Sequence, residues 1–391
     1  MTILQNERVV TDDRAAAVPH ANRGLRTSRT VTPQLACEET RPDPEWDAKA
    51  EAAGADLSQT TFWAETRQRV GFTSHHVRLR APDGELAGGF LMYTRRLGPG
   101  LGVCSVPRGP ILFGDRTADI DPLVRALLDT ARRQGGRLLL IAPPEGIGPA
   151  EQRLAAAGFR QSAVAIAPEA TLRLDTRQTE QELVAGMRPT RRRHLARALE
   201  QGFEVEATAD VELFQRLHAS TAVRQGFEPV NLANLRSQWH VLAPRGNCRI
   251  LIVRYEGVPI AGLWVTCFAG TVTFKLAGWN GESGGPRYAN VAAQWAAIQR
   301  ARTEGAHTYD FGGLSQGSAA ILAAGSALPA SAHETPDGFK LGFGGTPTLL
   351  PRTRFGITPA LAHRALAGVV ERALASTRVR RLAQRMRSGR S

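Results

Sequence analysis

The run CRILIVRYEGVPIAGLWVTCFAGTVTFKL, residues 248–276, decides the fold. Its breaks at Glu256-Gly257 and Ala269-Gly270 divide it into apolar, β-branched stretches that predict strands over 248–255, 258–268 and 271–276. A helical pattern over 290–304 and a strand over 308–311 follow. Upstream the pattern predicts a strand at 171–174, helices at 180–187 and 190–201, a strand at 203–207, and helices at 211–223 and 232–242. The first half has a similar order. Short helices open at Glu45 and over 61–70, strands follow at 76–79, 86–93 and 102–107, and then come helix 120–134, strand 138–142 and helix 149–157. Two successive units of strands around a helix, with mostly antiparallel sheets, read as an internal duplication of α+β class. The expected domains are a poorly ordered leader over 1–42, a first unit over 43–168, a second over 169–350, and a basic helical tail over 351–391 that packs back on the first unit.

With 391 residues, 42% hydrophobic and 22% charged, the chain can bury a sizeable core. No run of about 18 apolar residues is present to span a bilayer. The leader lacks the apolar segment of a secretory signal, and Cys37, Cys104, Cys248 and Cys267 are scattered without metal-ligand spacing, so reduced thiols, no metal and a cytoplasmic location are expected. A net charge of +13 favours polyanionic partners. Much of it lies in the last 41 residues, which hold ten Arg and one Glu; residues 359–386 read as an amphipathic helix pair able to touch RNA or an anionic membrane face. Only Lys49, Lys275 and Lys340 are lysines, against 46 arginines. A position that stays Lys under such a bias calls for a compact ammonium rather than a planar guanidinium.

No P-loop, nucleophile elbow or strand-led GxGxxG occurs, and the nine histidines are dispersed. Three segments stand out. Five arginines fall within residues 188–197 at a helix start, among them Arg192 and Arg193; they suit phosphate contacts or, equally, a solvated helix face. Tyr309-Asp310-Phe311-Gly312-Gly313 ends a strand in a glycine pair that lets backbone approach a ligand, with Asp310 either a functional carboxylate or the holder of a turn. In Phe339-Lys340-Leu341-Gly342-Phe343-Gly344-Gly345 an ammonium sits between aromatics. It reads as a stabiliser of oxyanion or phosphate, or as a snorkelling surface lysine.

Taken in order, these segments resemble the Fem family of aminoacyl-tRNA-dependent transferases, built from two GNAT-like units, over residues 45–350. Gln59 to Ala64, with Trp63, is similar to the family's "QS-x-x-WA", and Pro107-Arg108-Gly109-Pro110 to its "PRGP". Residues 192–202 resemble "RR-N-I-x-K-A-x-x-x-G", and residues 221–227, with Arg224, resemble "T-x-x-R-x-G-F". Tyr309 to Gly313 and Phe339 to Gly345 resemble "YDFGG" and "FK-x-x-FGG". Ala196 stands where the family has a basic residue, Phe274 where an aromatic hydroxyl is common, and no long helical arm is visible.

The resemblance implies peptide-bond formation between an amino acid esterified to tRNA and an amine acceptor. An ester is already activated, so alignment and oxyanion stabilisation suffice, with no cofactor beyond aminoacyl-tRNA as co-substrate. It implies catalytic roles for Lys340, Phe339 and Asp310, and substrate contacts by Arg192, Arg193, Arg224, Tyr309, Phe343, Gly344, Trp63 and Lys275. The implied acceptor is a peptidoglycan precursor, or a small amine-bearing natural product in antibiotic biosynthesis. Two other readings stay open. One is a CoA-dependent GNAT N-acyltransferase, against which Pro286 removes a backbone donor before the 290 helix; the other is an RNA- or membrane-binding protein driven by the tail.

Overall fold

The apolar run at 248–276 becomes the centre of a seven-stranded sheet in the computed structural model, which describes residues 36–98, 101–114, 120–146, 148–281, 288–326, 328–329, 331–332, 335–357 and 374. The first half contains β1 (Ala36–Thr40), α1 (Pro44–Ala52), a 3₁₀ turn (Leu57–Gln59), α2 (Thr61–Gln68), β2 (Thr73–Arg80), β3 (Leu86–Gly98), β4 (Leu101–Pro107) and β5 (Ile111–Leu112). It continues with α3 (Ile120–Arg133), β6 (Gly136–Ala142), α4 (Gly148–Ala156) and β7 (Arg160–Gln161). The second half contains β8 (Ala170–Asp175), α5 (Glu180–Gly186), α6 (Pro189–Glu200), β9 (Glu204–Thr208), α7 (Val211–Gln225) and α8 (Leu232–Leu242). After these come β10 (Cys248–Tyr255), β11 (Val258–Phe268), β12 (Thr271–Trp279), α9 (Ala289–Thr303), β13 (Thr308–Gly313), α10 (Gln316–Ala323), α11 (Pro336–Leu341), β14 (Thr346–Leu349) and β15 (Arg354–Ile357).

One sheet runs β1-β2-β3-β4-β6-β15-β7 with β5 paired to β3, and the other β14-β8-β13-β12-β11-β10-β9. Among the described residues each has a single parallel pair, made by a helical crossover: β4 with β6 through α3, and β12 with β13 through α9. The two pairs differ in length. The first pairs from Gly102 to Pro107, whereas β12 and β13 pair only from Thr271 to Thr273 against Thr308 to Asp310. Beyond that point β13 bulges against β8 and the ladder with β12 ends, although the Gly312 backbone still packs closely on the Phe274 carbonyl.

The second sheet carries the larger core, in which Tyr309, Phe311 and Phe343 are fully buried with Leu172, Val253 and Ile298. Full burial of such a side chain contributes about 1.5–3 kcal/mol. Tyr309 donates to Gln294 Oε1 at 2.7 Å, which satisfies its hydroxyl inside that core.

Two expectations at the edges are corrected. The leader over 1–42 contains β1, an edge strand whose Glu38 and Glu39 pair with Arg80 and His75 of β2; the Ala-Cys-Glu-Glu-Thr sequence has little apolar pattern because only one strand flanks it. The tail over 351–391 opens with a strand rather than a helix, since β15 inserts between β6 and β7 of the first sheet. Residues 1–35, and residues 359–386 except Leu374, lie outside the described residues; Leu374 is helical and buried with Phe355 and Val103. Among the described residues no helix is long and apolar enough to cross a membrane.

Candidate active site

Gln59 fixes the floor of the space between the two halves. Its amide nitrogen donates to the Pro107 carbonyl at 2.7 Å, its amide oxygen accepts from Leu91 N–H at 2.8 Å, and its own carbonyl accepts from Trp46 Nε1 at 2.6 Å. This buried clamp brings the 3₁₀ turn onto the Pro107–Pro110 corner and so sets Asp56 beside Arg108. Arg108 holds φ at 53°, a conformation that L residues rarely adopt, and its guanidinium donates to the carbonyls of Pro143 and Pro168.

A cleft of about 860 Å³ opens there, lined from the first half by Asp56, Arg108 and Glu145, and from the second by Arg173, Thr271, Thr273, Lys275 and Asp310. A smaller pocket of about 200 Å³ adjoins it, lined by Trp63, Arg67, Phe72, Tyr93 and Arg95 of the first half. In the cleft, Arg173 pairs with Glu145 at 2.6 Å and with Asp310 at 3.4 Å, so one guanidinium bridges the two halves. Burial works against its charge, and Glu145 and Asp310 outweigh that, holding its pKa above the usual value. Asp310 also accepts from the Thr171 hydroxyl and from Gly312 N–H at 2.7 Å. Its carboxylate is thus engaged in fixing the end of β13. Asp56 is open to the cleft. Burial raises its pKa, but Lys275, the Ser58 hydrogen bonds and Arg108 together hold it below the usual carboxylate range.

Lys340 and Phe339 stand elsewhere, beside the point where the β12–β13 ladder ends. Thr335 caps the N-terminus of α11, and the Lys340 ammonium donates to the Gly313 carbonyl at 2.6 Å while lying 5.7 Å from the centre of the Phe274 ring. Burial lowers its pKa, opposed by Asp337 and Asp310. Phe339 packs edge-on to Phe343 at 5.5 Å. Gly344 has φ +84, and a Cβ there would lie 2.7 Å from the Gly186 carbonyl, so α11 docks on the end of α5 by backbone contact.

The remaining expected residues scatter. Lys275 and Trp63 line cavities, while Tyr309 and Phe343 belong to the core. Arg192 caps α5 through the carbonyls of Ala185 and Met187, and Arg193 is exposed on α6. Arg224 stacks on Trp279 at 4.4 Å and donates to the Trp279 carbonyl, closing the end of β12. The arginine that reaches the Lys340 segment is Arg191, which was not anticipated. It is buried, 4.4 Å from the Phe339 ring centre and 4.8 Å from that of Phe343, and donates to the Phe339 carbonyl at 2.9 Å. Burial pushes its pKa down to about 10. The helical phase contained the signal, because Arg191 lies four residues before the buried Leu195 and shares its face. Asp56, Arg67, Arg95, Glu145 and Arg173 also escaped the sequence reading, and Arg108 was noted there only as part of the Pro107–Pro110 motif. Among the described residues no group of three or more His, Cys, Asp or Glu is placed to hold a metal.

A family model described as an acetyltransferase (GNAT) domain matches residues 185–320. No curated protein sequence matches the chain. Among solved structures, the chain is similar to one described as FemX, with a TM-score of 0.71 and 17% identity over 84% of this chain and 99% of that one. It is also similar to a tandem GNAT protein from the clavulanic acid biosynthesis pathway (TM-score 0.51, 13% identity, 83% and 98% covered). A third similar structure is L-PGS from Bacillus licheniformis (TM-score 0.50, 13% identity, 86% and 98% covered). The fold is GNAT-like and α+β, its two sheets consistent with tandem units.

Proposed function

We propose that the protein is an acyltransferase that moves an amino acid from aminoacyl-tRNA to an amine acceptor, with a peptidoglycan precursor as the first acceptor to test and a small amine-bearing natural product as the second. The observation that carries this reading is the position of Lys340: an ammonium held between Phe274 and the Gly313 carbonyl, beside the end of the β12–β13 parallel ladder, in a chain that aligns with FemX through both halves. An ammonium has three donors and Gly313 uses one, so two remain for a developing oxyanion. The ester brings its own leaving group, and the enzyme's work is alignment and charge stabilisation.

The family model over 185–320 favours one competitor, acyl transfer from acetyl-CoA. The segment that would cradle a pyrophosphate before α9 includes 282–287, outside the described residues. A direct comparison separates the two: transfer of label from a pool of charged tRNAs to a small-molecule extract, with and without RNase, beside the same assay with labelled acetyl-CoA. RNase-sensitive transfer supports the proposal. Transfer from acetyl-CoA alone overturns it.

A further inference from the structure

The cleft and the smaller pocket share three lining residues, Asp56, Arg108 and Lys275. Charge accounting at this junction leaves two groups over. Arg173 is occupied by Glu145 and Asp310, and Arg108 by two carbonyls. Asp56 is held within its own turn by Ser58, whose N–H donates to Oδ1 at 2.8 Å, and forms no ion pair among the described residues. Lys275 has neither a hydrogen bond nor an ion pair there. The other two lysines are engaged: Lys49 with Glu85 and the Leu86 carbonyl, Lys340 with the Gly313 carbonyl. Glu51 and His307 line the cleft alone, and Arg67 and Arg95 the smaller pocket alone.

Local structure explains why Lys275 stays unpaired. Trp264 of β11 faces Leu276 and Val265 faces Phe274, so Lys275 is the extra residue of a β-bulge and has no cross-strand neighbour to neutralise it. It is exposed to the junction, as is Asp56. One ammonium and one carboxylate, carried by opposite halves of the molecule, interact through space without closing on each other. A ligand that carries both charges on one carbon would match both groups, whereas a plain amine or a plain acid would leave one group unmatched.

We propose that Asp56 and Lys275 form the recognition point for a zwitterionic α-amino-acid centre of the acceptor, its ammonium on Asp56 and its carboxylate on Lys275. This rests on the transferase reading only for calling the ligand the acceptor. Because Asp56 is held ionised, it is a good hydrogen-bond acceptor and a weak base, so the pair binds and orients rather than deprotonates.

The test is equilibrium binding to the full chain, followed by ligand-observed NMR, of three probes of one length: lysine, cadaverine, which lacks the carboxylate, and 6-aminohexanoate, which lacks the α-amine. Lysine should bind at least about tenfold more tightly than either, the scale of one hydrogen bond to a charged group. Lys275→Met should erase the preference over cadaverine, and Lys275→Arg should keep part of it. Asp56→Asn, which still caps the turn, should erase the preference over 6-aminohexanoate. Equal binding of the three probes, preferences unchanged in the variants, or no lysine binding up to tens of millimolar would overturn the proposal. The readout uses neither tRNA nor turnover, so the transferase reading and this one can fail separately.

Discussion

Lys340 Nζ lies 2.6 Å from the carbonyl oxygen of Gly313, and this one bond ties α11 to the last residue of β13. Lys340→Met removes the donor and should cost about 1–3 kcal/mol in urea unfolding, because a part-buried carbonyl loses its partner. If the same ammonium stabilises the oxyanion, the single-turnover transfer rate should fall about 10²–10³-fold with KM little changed. Lys340→Arg should not restore the rate, since a planar guanidinium does not occupy the place of an ammonium between Phe274 and Gly313. Full activity in Lys340→Met would remove the residue from the mechanism.

Arg191 holds the same segment from the other side. Arg191→Leu keeps bulk but loses the bond to the Phe339 carbonyl and the stacking on Phe339 and Phe343, for an expected loss of about 2–3 kcal/mol by denaturant titration. Transfer should drop along with it, because Lys340 follows Phe339 on α11.

The neighbouring arginines should separate by role. Arg192→Ala loses the cap on α5 and should lower stability by about 1 kcal/mol. Arg193→Ala should leave the melting temperature unchanged and, if the proposed tRNA-dependent reading holds, raise the KM for aminoacyl-tRNA and lower the salt slope of tRNA binding by about 1. An unchanged salt slope would exclude Arg193 from the RNA surface.

Acid should weaken the fold before its carboxylates titrate. Burial, with the charges of Arg78 and His75, lowers the His76 pKa from 6.5 to about 4. The unfolded chain therefore binds this proton near pH 6.5 and the folded chain only near 4. Stability is complete above that window and declines as pH falls through it, by about 3 kcal/mol at the lower end. Burial of His218 acts in the same direction. His76→Gln should flatten the decline when unfolding free energies at pH 7 and pH 4.5 are compared.

Gly345 has φ +89, and a Cβ there would stand 2.5 Å from the Arg173 carbonyl. Gly345→Ala should cost about 2 kcal/mol or more and disturb the Arg173 bridge to Glu145 and Asp310. A loss below 0.5 kcal/mol would mean that the β14–β8 edge yields easily.

The central strands and helices were legible because apolar spacing carries them: the run at 248–276 became β10, β11 and β12 with turns at the expected places. β1, β14, α10 and α11 were not, since they are short and lie at edges, where few positions are buried. The motif residues divided along a line that spelling does not show. Tyr309 and Phe343 are core residues that shape the segment around Lys340, whereas Lys275 faces the cleft. Asp56, Arg108, Glu145 and Arg173 come from four segments, and no periodicity links them; only the Gln59 clamp and the meeting of the two halves bring their charges together.

β15 has a consequence for how the molecule is made. Its residues, 354–357, leave the ribosome after the whole second half, yet they fill the place between β6 and β7 in the first sheet. Throughout synthesis β6 therefore presents an open edge with Leu140 awaiting Phe355 and Ile141 awaiting Arg354. The half translated first is the last to be completed, and a nascent chain stalled before residue 354 exposes a sticky strand to its neighbours.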